Sequence, residues 1–214
     1  MYFFETVIVA HGELPYSNKS IEILQNAQNI VCCDGAIDIL HYHNIEPHAI
    51  VGDLDSIHSD DLKKYKKIIH KDNSQEYNDL QKAIHFCFEN NWLNIVILSG
   101  FGKREDHSLA NLSIMLSYIV DYQKYGVSKP KMAMVTNFGV FTPITETTTF
   151  QSFPKQQVSI FSFDKSTELT FTGLKYPVQK RAFRHLWEGS LNEAIGDQFT
   201  IEMERGEVIV FQTS

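Results

Sequence analysis

Carboxylates in this sequence recur where apolar runs stop. Asp34 closes "NIVCCD", and Asp53 and Asp55 close "AIVGDLD". Asp79 opens "DLQKAI", and Asp106 follows "NIVILSG" within a loop. Held extended, Asp53 and Asp55 point to the same side, about 6.5–7 Å apart at Cα, so both reach one hard cation. Mg²⁺ takes carboxylate, phosphate and water oxygens of this kind. Two plainer readings compete: Asp79 as the N-cap of the helix it opens, and Asp55-Ser56 as turn chemistry.

A second stretch, "SGFGKREDHSLAN" (Ser99–Asn111), adds the complementary charge. Gly100 and Gly102 permit close backbone approach. Arg104 and free N–H groups bind phosphate, and a following helix N-terminus adds partial positive charge. Asp106 could instead pair with Arg104 inside the loop, and His107 sits where a helix begins. The sequence is not a Walker A loop, and a lone G-x-G identifies nothing by itself.

The elements that must position these residues follow from periodicity. Up to about residue 120, continuous apolar runs alternate with helix-like segments: "TVIVA" then "SNKSIEILQNA", "NIVCCD" then "GAIDILHYHN", "NIVILSG" then "SLANLSIMLSYIVDYQKYG". "NDLQKAIHFCFENN" places Leu80, Ala83, Ile84 and Cys87 on one helical face. Unbroken apolar strands with helical crossovers predict a parallel, Rossmann-like sheet covered on both faces, with ligands beyond the strands' carboxyl ends. After "GVSKPK" the texture changes to short Thr- and Phe-rich runs, from "MAMVTNFGVFTPI" to "QFTIEMERGEVIVFQ". That pattern predicts an antiparallel β-sandwich, with "ERGE" as its last hairpin. The expected division is 1–129 and 130–214.

Composition narrows the function. The 214 residues suffice for one large or two small domains, and a formal charge of -7 argues against a partner that is nucleic acid. The one basic run, "KKYKKIIHK", reads as a solvated helix face. No apolar run approaches a membrane span, and "MYFFETVIVAHGE" reads as a first strand rather than a signal peptide. Cys32, Cys33 and Cys87 lack zinc spacing and read as small buried hydrophobes, pointing to a cytoplasmic protein.

In their order, these motifs resemble the thiamin pyrophosphokinase family, which moves pyrophosphate from ATP to thiamin. "VIVAHGELP" is similar to the family's opening strand and loop, with His11 where Asn is usual. "CDGAIDIL" resembles its Asp-Gly-Gly-Ala segment, and "VGDLDSI" its Gly-Asp-Phe-Asp-Ser-Ile. "SQEYNDLQKAI" matches Gln75 and Asp79, with Asn78 replacing Thr. "REDHSLAN" resembles its Arg-x-Asp-His-x-Leu-Ala-Asn, with Glu105 at a position more often apolar. "TFTGLKYPV" and "GSLNEAIG" resemble segments of its second domain, where Asn192 matches and Leu191 replaces a serine, with Ser190 beside it.

The resemblance implies an α/β nucleotide- and Mg²⁺-binding domain followed by a thiamin-binding β-sandwich. Asp53, Asp55 and Asp79 are then the metal ligands, and Arg104 stabilises charge on the transferred group. Gly12, Asp34, Gln75, Asn78, Gly100, Gly102, Arg104 and His107 are expected near the nucleotide, with Asp106 part of the catalytic set. Ser190, Asn192 and Trp187 are expected near thiamin, Trp187 as a stacking platform or as core. A homodimer completing its thiamin pocket across the interface is also implied. Two rivals stand beside this reading. One is a haloacid-dehalogenase-like phosphatase, which wants Asp-x-Asp on the first strand. The other is a non-catalytic thiamin- or nucleotide-binding module.

Overall fold

The computed structural model describes residues 4–214, in two compact units. The expected first strand extends back over Met1–Phe3, which lie outside the described residues. The first unit carries six strands: β1 (Thr6–Val9), β2 (Asn29–Cys33), β3 (Ala49–Gly52), β4 (Ile69–Lys71), β5 (Asn94–Leu98) and β6 (Lys131–Val135). All pair in parallel, in the order β6-β5-β1-β2-β3-β4. Consecutive residues of β1, β3 and β5 are buried, so both faces of the sheet are covered, as the unbroken apolar runs require.

Five helices complete this part of the chain: α1 (Asn18–Asn26), α2 (Ile37–Tyr42), α3 (Ser59–Lys64), α4 (Asp79–Glu89) and α5 (Glu105–Val120). Ser17 caps α1, its side chain accepting from the Ser20 N–H. The face of α4 read from periodicity is buried: Leu80, Ala83, Ile84 and Cys87 pack against β1, β2 and β3. The run "KKYKKIIHK" is not one helix face. Lys63 and Lys64 end α3, and the chain then turns into the short edge strand β4, because Ile68 and Ile69 must meet β3.

Successive strands β1 to β4 step one way, whereas β5 returns to the other side of β1. The carboxyl ends of β1 and β5 therefore flank the sheet's topological switch point, where such folds open a crevice. β6 also corrects an expectation. The texture of the sequence puts "MAMV" in the antiparallel part, yet it pairs parallel with β5 and is buried throughout from Met132 to Val135. An apolar run of this length reads the same in either kind of sheet.

The second unit is a sandwich. One sheet runs β12 (Asn192–Glu193), β9 (Gln157–Ser162), β14 (Val208–Thr213), β7 (Gly139–Ile144). The other runs β11 (Arg181–Ala182), β10 (Glu168–Thr172), β13 (Gln198–Glu202), β8 (Thr148–Gln151). All pairs within them are antiparallel. Phe150, Phe171, Phe183 and Phe199 meet Val158, Ile160, Val208 and Val210 in its core. "ERGE" is not a hairpin: β13 pairs with β10 and β8, β14 with β7 and β9, so the segment crosses between sheets. Alternation on both flanks looks alike in the two cases, since each strand has one face in the core.

Candidate active site

A cavity of about 260 Å³ opens at the switch point. Ala10, His11 and Gly12 after β1 and Cys33 at the end of β2 form one side, with Asn78 and Asp79 at the start of α4. Gly100, Lys103, Arg104, His107 and Asn111 form the other. The two loops are stitched together: Gly12 N–H donates to Ser99 C=O at 2.7 Å, and Glu13 N–H to Phe101 C=O at 2.7 Å. A Cβ on residue 12 would lie 2.2 Å from the Ser99 oxygen, so only glycine permits this approach. Gly100 is needed for packing, since a Cβ there would meet Met134 Sδ at 2.6 Å. Asn111 Nδ2 holds the Gly100 carbonyl at 2.8 Å.

The carboxylates gather differently from the extended Asp-x-Asp expected. β3 stops at Gly52, and Leu54 turns into the left-handed region at φ 73°, which breaks the two-residue alternation. The reason is a contact with the turn that follows β2: the Leu54 N–H donates to Asp34 Oδ2 at 2.8 Å. Asp55 is exposed, and its N–H donates to Asp53 Oδ1 at 3.2 Å. The electrostatic cluster is instead Asp34, Asp53 and Asp79. Burial raises the Asp34 carboxyl above its ordinary value near 3.8, and the Asp79 and Asp53 charges raise it further against the Leu54 bond. Burial likewise raises Asp79, with Lys82 opposing and Asp53 adding.

Asp79 does not cap its helix. Asn78 does, through a capping box: its Oδ1 accepts from the Gln81 N–H at 3.0 Å, and Gln81 Oε1 accepts from the Asn78 N–H at 3.2 Å. The Asp79 carboxylate is thereby left to the cavity, with Lys82 Nζ 3.6 Å away. Lys82 is only 3% exposed. A lysine interrupting the apolar face of α4 is the sequence signal for it. Sequence reasoning also left Lys103 and Asn111 without a role and noted His11 only as a departure.

His11 occupies the space where a side chain on residue 35 would lie. Burial and then the Lys103 charge push its imidazole down, against Asp34, Asp38 and Asp79. Arg104 and Asp106 form a fork, Nε to Oδ1 at 3.0 Å and Nη2 to Oδ2, as the plainer reading allowed. Asp106 also accepts from the His107 N–H at 2.9 Å, and the Arg104 contact holds its carboxyl down to about 2. Gln75 is exposed in the loop before α4 and Gly102 turns at φ 102°; neither lines the cavity.

Asp79 in the cavity lining, and Asp34 and Asp53 coupled to it electrostatically, are hard carboxylate donors; burial first, then neighbouring negative charge, raises Asp34 and Asp79. That chemistry fits a hard divalent cation, and the same lining carries Lys103 and Arg104 for an anion. Among the described residues, the tight group of three potential ligand atoms is a different one: Asp38, His41 and Asp61, within 4.8 Å. The His41 Nε2 there already faces Tyr65 Oη at 3.0 Å and Asp61 at 3.5 Å.

In the second unit, Asn192 is buried and wholly engaged. Its Oδ1 accepts from the Tyr176 and Glu193 N–H groups, and its Nδ2 donates to the Tyr176 C=O. Ser190 Oγ donates to the Trp187 C=O at 2.7 Å, closing a short 3₁₀ turn. Ser190 therefore shapes the segment that carries Trp187, while Asn192 ties its own strand to the Tyr176 loop. Trp187 itself is not core: it is 71% exposed, as Leu191 is at 79%.

Fold and site define a doubly wound α/β protein with an acidic and basic pocket at its switch point, followed by a β-sandwich. Residues 21–126 match the thiamin pyrophosphokinase catalytic domain, and residues 139–211 the thiamin pyrophosphokinase substrate-binding domain. The chain belongs to the thiamin pyrophosphokinase family. Thiamin pyrophosphokinase 1 of Caenorhabditis elegans is 34% identical over 112 residues, which cover 48% of this chain and 46% of that protein. The match thus spans a little under half the length of that relative. A solved thiamine pyrophosphokinase from Bacillus subtilis has a TM-score of 0.80 at 20% identity, covering 98% of each chain. One from Candida albicans has a TM-score of 0.80 at 19% identity, covering 98% of this chain and 90% of that one. At these identities the structures speak for the fold. Among the described residues no helix is long and apolar enough to cross a membrane.

Proposed function

We propose that the protein is a thiamin pyrophosphokinase, transferring pyrophosphate from ATP to the thiamin hydroxyl and releasing AMP. The observation that carries this is the pocket at the switch point, lined by Asp79, Lys103 and Arg104, with the Asp53 charge acting on Asp79 and both acting on Asp34. The hydroxyl oxygen attacks the β-phosphorus, its bond to phosphorus forms as the bridge to the α-phosphate breaks, and AMP carries away the bridging oxygen. Such transfers need positioning and charge neutralisation more than a strong base. Arg104, fixed by Asp106, and Lys103 would neutralise phosphate oxygens. Asn78, His107 and the backbone near Gly12 and Gly100 would seat the nucleotide. Asp53, Asp55 and Asp79 would hold Mg²⁺, with the Asp34 carboxylate coupled to Asp53 and Asp79. When bound, Mg²⁺ supplies charge neutralisation on the phosphates.

In the second unit, Trp187 would stack on a heterocycle, on a turn braced by Ser190, with Ser190 and Asn192 close in sequence to the thiamin contacts. We also propose a cytoplasmic homodimer in which thiamin binds between one subunit's α/β unit and its partner's sandwich. The three cysteines are free and buried, which supports a reducing compartment.

Incubation with ATP, Mg²⁺ and thiamin should yield AMP and thiamin pyrophosphate. Formation of ADP or inorganic phosphate, or no turnover, would overturn the assignment; phosphate release from simple monoesters would favour the phosphatase rival. Asp53→Asn should abolish turnover with the far-UV spectrum unchanged, because Asp53 sits past the strand end rather than in the core.

A further inference from the structure

We propose that the hollow between α4 and the 3₁₀ turn Tyr122–Tyr125 binds an organic cation whose charge sits on a quaternary nitrogen. It shares no lining residue with the carboxylate pocket, and its volume is about 360 Å³, within the range of small-ligand sites. His85, Phe88 and Glu89 stand at i, i+3 and i+4 on one face of α4. Tyr77 comes from the loop before that helix and Tyr125 from the turn.

The rings are set at angles to one another, as in a cage rather than a stack. Tyr77 meets His85 edge-on with centroids 4.6 Å apart, His85 meets Tyr125 at 5.3 Å, and Phe88 meets Tyr125 edge-on at 5.7 Å. Tyr77 and Tyr125 remain partly open to solvent, at 36% and 40%. Burial pushes the His85 imidazole down, while Glu89 and Asp72 act on it as negative neighbours. At neutral pH the lining therefore offers aromatic faces and the Glu89 carboxylate, with no cation of its own.

That combination selects among ligands. An anion meets only negative charge. A primary ammonium needs several hydrogen-bond acceptors to replace its water, and the lining is mostly ring. A quaternary nitrogen is weakly hydrated, is drawn to ring faces, and takes Glu89 as counter-ion.

The test uses the full chain and calorimetric titration with choline, an aliphatic quaternary cation, and N-methylpyridinium, an aromatic one, at matched ionic strength. At least one should bind at a single saturable site, and the stronger of the two identifies the source. 3,3-Dimethyl-1-butanol, the neutral counterpart of choline, should bind at least about fivefold more weakly than choline if choline is the ligand. Glu89→Gln and Tyr125→Leu should each weaken the cation by about fivefold or more, and saturating ATP with Mg²⁺ should leave binding intact. Glu89→Gln keeps the side-chain shape, so it decides the matter if Tyr125→Leu fails to fold. The proposal is overturned if neither cation saturates, if Glu89→Gln binds as well as the parent, if the neutral alcohol matches choline, or if ATP displaces the ligand.

Discussion

Ser99, at the end of β5, offers a sharp test of how the phosphate-facing loop is held. It is 1% exposed, adopts φ 58°, and its Oγ has no hydrogen-bond partner among the described residues. A side chain in the left-handed region costs about 1 kcal/mol, and an orphaned buried hydroxyl about 1 kcal/mol more. Ser99→Ala removes the second cost alone and should stabilise by about 1 kcal/mol. Ser99→Gly removes both but loses about 0.7 kcal/mol through the freer unfolded chain, for a net gain of about 1.3 kcal/mol. At this chain length 1 kcal/mol corresponds to about 2–4 °C in Tm. Urea and thermal denaturation without ligand should therefore rank glycine at or above alanine, and alanine above the parent. Turnover should run the other way, because the strained residue fixes the loop that stitches to Gly12. If both variants are less stable than the parent, the hydroxyl is satisfied and the strain argument fails.

Asn78→Ala should cost about 1 kcal/mol in denaturant unfolding by removing the capping box of α4; Asn78→Ser should restore most of it. Asp34→Asn should stabilise the ligand-free protein while lowering turnover. Because folding raises the Asp34 pKa, its penalty is absent below about pH 3.8, appears as pH rises through the folded value, and is constant above it. The stability gain of the variant must therefore grow with pH over that window; a gain that shrinks refutes the repulsion. Asn192→Ala should destabilise the protein by about 2–3 kcal/mol, as expected for buried backbone partners left unpaired. Loss of thiamin affinity at unchanged stability would show instead that Asn192 serves the ligand directly.

Much of this was legible because the relevant forces are local. Continuous apolar runs gave the parallel strands, and the 3.6-residue spacing of Leu80, Ala83, Ile84 and Cys87 gave the face of α4. Motif order gave the family. What escaped depends on contacts distant in sequence. The turn between Asp53 and Asp55 could not be read from the sequence, since the left-handed Leu54 donates its N–H to an acceptor on Asp34, twenty residues away. Nor could the partners of β6, β13 and β14 be chosen from alternation alone. Trp187 looked like core because tryptophans usually are, and its exposure comes from a 3₁₀ turn closed by Ser190. Asn78 rather than Asp79 as cap was a matter of one residue, within the ordinary uncertainty of helix ends.

The stitch between the β1 and β5 loops also bears on how the chain becomes active. β1 is made first, yet its neighbour on the pocket side is β5, with β2, β3, β4 and four helices emerging between them. Four of the six parallel strands, β1 to β4, can assemble while the ribosome is still working, but Gly12 finds Ser99 only after that long excursion closes. Pairings so distant along the chain are slow to form. The nascent protein thus gains its nucleotide crevice late, after the scaffold on the β2 side is already in place.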